Sequence, residues 1–329
     1  MTQAAAIDDL QAPGATLREP ERFGILRAIL RKKVATIALV YITIFYLGGI
    51  LAPLIAPYGY NEQPAKLTVE SRLASPSADH LLGTDRLGRD RFSRVLYAAR
   101  TTVLFTLVVT ATGGIIIGLG LGLLAGYRGG WIDTAVMRVG EVLSGIPTLI
   151  LILAIAAAFR QRILDAAFDL SDATFLSITE ARQILQFLVL AGATVPFSWV
   201  GSARIVRAQA LALRERAYIE AAESIGASTK RVVFRHLLPG VMPLFWVGVS
   251  ASMGAIAMTE VGLSFLGLGI DEPAASFGTM IADGAGPRTF QDYPWLLLGA
   301  AVPVILFYLA WNLLGDALVD ILEPRTVRR

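Results

Sequence analysis

Apolar residues in this chain gather into long runs separated by shorter polar stretches. Six runs are apolar enough and long enough to cross a bilayer, which takes roughly 20 residues per helix. They cover about 34–56, 101–125, 142–159, 183–203, 237–259 and 293–315. The third is short, and Arg138 and Glu141 just before it belong at the interface or against protein. One such run can be a buried core helix, but six in series predict an all-α integral membrane protein with six transmembrane helices.

The polar intervals divide the chain. Residues 1–25 mix Ala, Asp, Gln, Pro and Gly without periodicity and read as a mobile tail. An N-terminal membrane segment, 26–57, holds the first span. The segment 58–100 that follows is rich in Pro, Asp, Arg and Ser, a structured but irregular surface piece. A core of 101–315 precedes a C-terminal tail, 316–329. Within the core, Gly126-Tyr127-Arg128-Gly129-Gly130 predicts a tight turn. Residues 160–182 form a polar insert whose Ser177-x-x-Glu180 suits a capping box. Pro147, Pro196 and Pro303 fall inside spans and predict kinks, since each removes a backbone donor. Gly118-x-x-x-Gly122 and Gly122-x-x-x-Gly126 are small-residue packing motifs that serve either this chain's own helices or a subunit interface.

Composition agrees with the pattern: 55% of residues are hydrophobic. The absence of cysteine excludes disulfides and thiolate metal sites, and His80 and His236 alone make a histidine metal centre a poor expectation. No basic surface with interleaved aromatics suggests nucleic acid. The first apolar run begins only near Val34, so the N-terminus lacks a signal-peptide layout. Basic residues set orientation. With the N-terminus inside, 18 Lys and Arg fall on the inner side and 11 on the outer, five of those between Arg86 and Arg100. The cluster from Arg27 to Lys33, abutting the first span, favours cytoplasmic termini.

The polar loop 204–239 has its own local order. Ala217, Ala221 and Ile225 share a helical face at four-residue spacing, Glu220 and Glu223 lie on a polar edge, and Gly226 is placed as a C-terminal cap. Ser228 can start a second short helix, Thr229 to Leu238, before Pro239. An alanine-rich face without a Trp or Phe anchor fits a partner's groove better than lipid headgroups. Glu220-Ala221-Ala222, Gly226 and Leu238-Pro239 resemble the EAA loop through which an ATPase drives the permease of a binding-protein-dependent ABC importer.

The resemblance extends from about residue 26 onward. Arg204-Ile205-Val206-Arg207-Ala208-Gln209-Ala210-Leu211, His80-Leu81-Leu82-Gly83-Thr84-Asp85-Arg86-Leu87-Gly88-Arg89-Asp90 and Ser264-Phe265-Leu266-Gly267-Leu268-Gly269 are similar to peptide and nickel permeases. So are Gly126-Tyr127-x-Gly129-Gly130-x-x-Asp133 and the tail from Gly315-Asp316. Leu51-Ala52-Pro53-Leu54-Ile55-Ala56-Pro57 resembles the N-terminal segment of the C-type subunit. The chain departs from that pattern at Gly240, at Glu272-Pro273 and Phe277, and in the length of 160–182, which touches the outer face and the cargo rather than coupling.

This resemblance implies a type I ABC importer transmembrane domain in a bacterial inner membrane. It would form half of a pathway for peptides or similar solutes. Its implied partners are a B-type permease, ABC ATPase subunits and a periplasmic solute-binding protein, with the segment 58–100 periplasmic. Glu220, Ala221, Ala222, Gly226 and Pro239 are the implied coupling residues, with Arg207 and Arg216 secondary. The chain itself has no GxxxxGK[ST] loop, so ATP and Mg would sit on the partner subunits and no cofactor is expected here. A proton-coupled transporter would want an ionisable residue at mid-membrane, whereas Glu141, Glu260 and Asp316 lie near span ends. A membrane hydrolase lacks a histidine in any span core.

Overall fold

The computed structural model describes residues 22–64, 68 and 71–322; residues 1–21 of the expected tail 1–25, and residues 323–329, lie outside the described residues. Among the described residues the chain is helical, with no strand and a single isolated bridge between Thr84 and Asp90. Helix α1 (Arg22–Arg31), which takes up the end of the expected tail, α2 (Lys33–Ile50) and the turn α3 (Ala52–Ile55) come first. Then follow α4 (Arg91–Arg128), α5 (Gly130–Ser144), α6 (Thr148–Ala173) and α7 (Ile178–Arg214). A short α8 (Ala217–Ser224) leads to α9 (Thr229–Phe265), α10 (Phe277–Gly284), α11 (Pro287–Asp292) and α12 (Pro294–Leu322).

Helices α2, α4, α7, α9 and α12 are long and apolar enough to cross a membrane, and α5 with α6 makes a sixth if counted as one broken span. The expected third run straddles that break. The two helices bend by 79° across Gly145-Ile146-Pro147, because a proline lacks the donor to continue a helix and pushes its predecessor out of the helical region. Pro196 and Pro303 instead lie inside α7 and α12, which run on through them.

The polar insert is helical. Helix α6 continues to Ala173 and α7 opens at Ile178, so 160–182 is the end of a helical hairpin. Its polar residues lie mostly on the exposed sides of these helices. The capping box forms: the Glu180 amide donates to Ser177 Oγ at 3.2 Å and the Ser177 amide to Glu180 Oε2 at 2.9 Å.

The glycines of α4 pack inside the chain, against α7. A Cβ on Gly118 would come within 2.7 Å of Ser202 Cβ, one on Gly122 within 2.7 Å of Val206 Cβ, and one on Gly126 within 2.6 Å of Ala210 Cβ. Small residues at four-residue spacing thus let the two backbones approach. Residues Thr110–Leu119 of α4 are wound as a π-helix. Helix α2 lies against α4 and α12, with the Tyr41 hydroxyl donating to the Pro303 carbonyl at 2.7 Å and Lys32 paired with Asp320 at 2.9 Å.

The irregular segment after α3 ends in a charge network built on buried arginines. Arg89 donates to Asp85 at 2.6 Å and to Glu272 at 2.5 Å, and Arg94 donates to Glu272 at 2.7 Å. Arg91 reaches the carbonyls of Leu296 and Met280. Burial works against the Arg89 charge, but Glu272 and Asp85 outweigh it and hold its pKa above the ordinary value. Asp90, bonded to His80 Nδ1 at 2.9 Å, also caps α4 by accepting from the Ser93 amide at 2.7 Å. Three arginines that the sequence places in an outer loop are therefore structural. Near the same end of α9, Glu260 is wholly buried and accepts from the hydroxyls of Thr102 (3.0 Å), Ser264 (3.0 Å) and Ser276 (2.7 Å).

Candidate functional site

The elbow between α7 and α9 is seated by one large side chain. Ile219 is wholly buried among Leu123, Val206, Ala210, Val232, Leu237 and Val241, which belong to α4, α7 and α9. An eight-residue helix is too short to be stable alone in water, so this burial is what keeps α8 formed. Arg216 occupies the N-cap position without a side-chain bond, leaving its guanidinium exposed.

The opposite side of α8 faces outward. Ala217, Tyr218, Glu220 and Ala221 are exposed, Ala222 is half-buried, and Ile225 just beyond is 88% exposed. Ala217, Ala221 and Ile225 thus form the apolar stripe expected from their spacing, with no contact from the chain's own core. The Glu220 carboxylate takes part in no hydrogen bond or ion pair among the described residues. Gly226 closes the helix at φ +86°, where its amide donates to the Glu223 carbonyl at 2.9 Å and the Ala227 amide to the Ala222 carbonyl at 3.0 Å. This paired closure is a Schellman motif, and a side chain at that φ would be strained.

Past the glycine the structure departs from expectation. The Ser228 hydroxyl accepts from the Arg231 amide at 3.4 Å and opens a helix as predicted, but that helix does not stop before Pro239. It runs to Phe265 as α9. Residues Val233–Leu237, just before the proline, take a π turn, and the wider winding accommodates a residue that cannot donate and whose ring crowds the preceding turn. The second half of the elbow and the fifth span are one piece.

Polar tethers fix the elbow to the turn between α4 and α5. Arg207 makes a two-pronged pair with Asp133, through Nε and through Nη2 at 2.5 Å. Arg214 donates to the Tyr127 carbonyl at 2.8 Å, and the Tyr127 hydroxyl donates to Glu223 at 3.0 Å. Gly129 and Gly130 turn the chain there at φ +63° and +59°. Sequence reading missed these pairings, although Tyr127, Gly129, Gly130 and Asp133 stand together in one quoted motif. Of the candidate residues, Arg216, Glu220, Ala221, Ala222 and Gly226 come together on α8 and its cap, Pro239 lies in α9, and Arg207 is turned away into its bond with Asp133. Val319 and Leu322 of α12 line a cavity of about 160 Å³ with Gln209 and Gly240, so the chain's C-terminal helix ends beside the elbow. No cluster of metal-ligating residues occurs among the described residues.

Known proteins share this architecture's sequence. Residues 118–328 match the family model described as binding-protein-dependent transport system inner membrane component, and residues 24–76 match the N-terminal transmembrane domain of oligopeptide transport permease C. The chain is 32% identical over 295 residues to the dipeptide transport system permease protein DppC of Alkalihalophilus pseudofirmus, covering 90% of this chain and 87% of the relative. It is 34% identical over 302 residues to the corresponding DppC of Bacillus subtilis, covering 92% and 85%. It is 32% identical over 309 residues to the oligopeptide transport system permease protein OppC of Mycobacterium bovis, covering 93% and 96%. With a family model spanning well over half its length and relatives aligned nearly end to end, the chain belongs to the inner-membrane permease components of binding-protein-dependent ABC importers, in the C-type branch.

Proposed function

We propose that this subunit forms half of a peptide-translocating pathway beside a B-type permease, with two ATPase domains docking on the α8 elbow and a solute-binding protein delivering cargo to the opposite face. The observation that carries the coupling role is the outward stripe of Ala217, Ala221 and Ile225 flanked by the unpartnered Glu220. Small apolar side chains on a seated helix suit insertion into a partner's groove. Glu220 is then the charge partner for a basic residue of the ATPase, and Ala221 and Ala222 allow close approach. Gly226 sets the angle at which α8 leaves the groove, and Pro239 belongs to the lever that α9 provides. Arg216 is free to meet the partner, whereas Arg207 serves by holding α7 to the Asp133 turn. ATP and Mg are held by the ATPases.

Peptide cargo is favoured by the relatives' names. Cytoplasmic termini in a bacterial inner membrane are supported by the Arg27-to-Lys33 cluster beside the first span and by the Lys32–Asp320 pair, which joins the start of α2 to the end of α12. The test is co-purification in mild detergent of the natural chain against Glu220→Arg. ATPases and a sister permease come down with the natural chain, and the ATPases alone are lost from the variant. Undiminished ATPase recovery with Glu220→Arg sinks the assignment of the elbow as the docking site.

A further inference from the structure

Helix α7 has 37 residues, about 55 Å at 1.5 Å per residue, against roughly 30 Å of bilayer hydrocarbon. The elbow adjoins its C-terminal end. At its other end stands the α6–α7 hairpin, whose apex holds Phe175 fully exposed, with Phe168 54% and Ile178 45% exposed beside it. The turn that presents these side chains is firmly bonded. Thr174 Oγ1 donates to the Leu170 carbonyl at 2.6 Å and Ser171 Oγ to the Leu176 carbonyl at 3.1 Å, and the Ser177–Glu180 box locks the start of α7. Two turns below, Arg182 and Gln186 both donate to Asp271, at 2.6 and 2.9 Å, anchoring the hairpin to the loop after α9.

Charge narrows what meets this apex. From Ile163 to Ala181 the chain carries Asp165, Asp169, Asp172 and Glu180 and no Lys or Arg, in a protein whose net charge is +3. Asp165, Asp169 and Asp172 fall at i, i+4 and i+7, on one exposed side of α6. An acidic tip without Trp, Lys or Arg is the reverse of what anionic lipid headgroups attract. An exposed aromatic on a hydrogen-bonded turn, with carboxylates along the adjoining helix beyond Arg160 and Arg162, instead matches an apolar slot with a basic rim.

We propose that the α6–α7 apex is the docking knob for the solute-binding protein, with Phe175 as its anchor and Asp165, Asp169 and Asp172 steering a basic surface onto it. The assignment rests on the importer reading above. Because α7 is unbroken from Ile178 to Arg214, a partner held at the apex acts on the same helix that leads into the elbow.

The experiment uses the complete transporter in nanodiscs with its own peptide-loaded binding protein, reading ATPase stimulation against binding-protein concentration. Phe175→Ala raises the half-maximal concentration by about tenfold to thirtyfold with basal ATPase activity unchanged. Asp169→Lys combined with Asp172→Lys raises it by roughly fivefold or more and flattens the dependence on salt. A photo-crosslinking residue at 175 captures the binding protein. Crosslinking is read on this chain and the binding protein alone, so it reports on the apex even where the elbow assignment fails. Stimulation curves unshifted by both variants, or crosslinks going to lipid or to the sister permease instead, overturn the proposal.

Discussion

Replacing Ile219 with alanine isolates what seats the elbow. The side chain is wholly buried against α4, α7 and α9. Truncation removes three carbons, about 2.4 kcal/mol at 0.8 per buried carbon, and a residual cavity brings the cost to about 3 kcal/mol. Two links remain on α8 itself, the exposed Tyr127–Glu223 hydrogen bond, worth about 1 kcal/mol, and the partly exposed contact of the Tyr218 ring with His236 at 6.2 Å. The unseated population therefore rises on the order of a hundredfold, and an unseated α8 melts because it is too short to persist alone. The assay is hydrogen exchange by mass spectrometry on the assembled transporter, following amides 219–224, together with solute moved per ATP hydrolysed. Exchange should accelerate by about the same factor, with transport per ATP falling. Ile225→Ala is the matched control: at 88% exposure it leaves exchange unchanged and weakens ATPase retention. If Ile219→Ala alters exchange by less than about threefold in an assembled complex, the seating argument is wrong.

Three further outcomes follow from the packing. Gly126→Val, whose Cβ would lie 2.6 Å from Ala210 Cβ, should abolish recovery of a monodisperse chain, whereas Gly120→Ala, with nothing within 4 Å, should be recovered at wild-type yield on size exclusion. Asp133→Asn should lower stability by about 1 kcal/mol, the pair being part-exposed, and Arg207→Lys should not preserve it because an ammonium cannot reproduce the two-pronged geometry; a thermal-shift assay compares the two. Glu260→Ala strands three buried hydroxyl donors at about 1–3 kcal/mol each, so it should cost assembly and thermal stability, with Glu260→Gln recovering part of both.

Local signals were legible where a residue type has one physical use. Gly226 is left-handed, Ser177 with Glu180 forms a cap, and Pro147 breaks the third run, because no competing arrangement satisfies those backbones. Two features go further than the pattern alone could show, because sequence shows polarity but not its partner. Residues 160–182 read as a polar insert, and that most of it is helix is hidden because helices that extend beyond a bilayer are polar for the same reason loops are. Pro239 looks like a terminus, and only the π turn at Val233–Leu237 reveals how the helix absorbs it. Arg89, Arg91 and Arg94 counted against the inside-positive bias, while Glu272, which pairs with Arg89 and Arg94, lies 183 and 178 residues further along the chain, and the carbonyls that hold Arg91 lie 189 and 205 residues away. Long-range pairing of this kind has no local trace. The Gly118, Gly122 and Gly126 stripe was visible as a packing face, but that its partner is α7 of the same chain is a fact of topology.

The two ends of the molecule are held by different kinds of interaction, and this decides which joint moves. At the end holding Glu260, a fully buried carboxylate ties α4, α9 and the start of α10 through three hydroxyls, and the Arg89–Glu272–Arg94 bridge adds two buried guanidinium groups. Separating α4, α9 and α10 would strand the Glu260 carboxyl and its buried hydroxyl donors, at about 1–3 kcal/mol per unpaired group, while the exposed Glu272 keeps the arginine bridge within reach of water. At the elbow, one aliphatic side chain, the ring contact of Tyr218 with His236 and a few solvent-accessible polar bonds carry α8. An apolar contact can slide or rotate with gradual loss of area, whereas an ionic one fails at once. The braced end therefore resists opening more than the elbow does, and the elbow is the joint that gives first. Because α9 continues through Pro239, the helix that leaves the elbow is the one that carries Glu260.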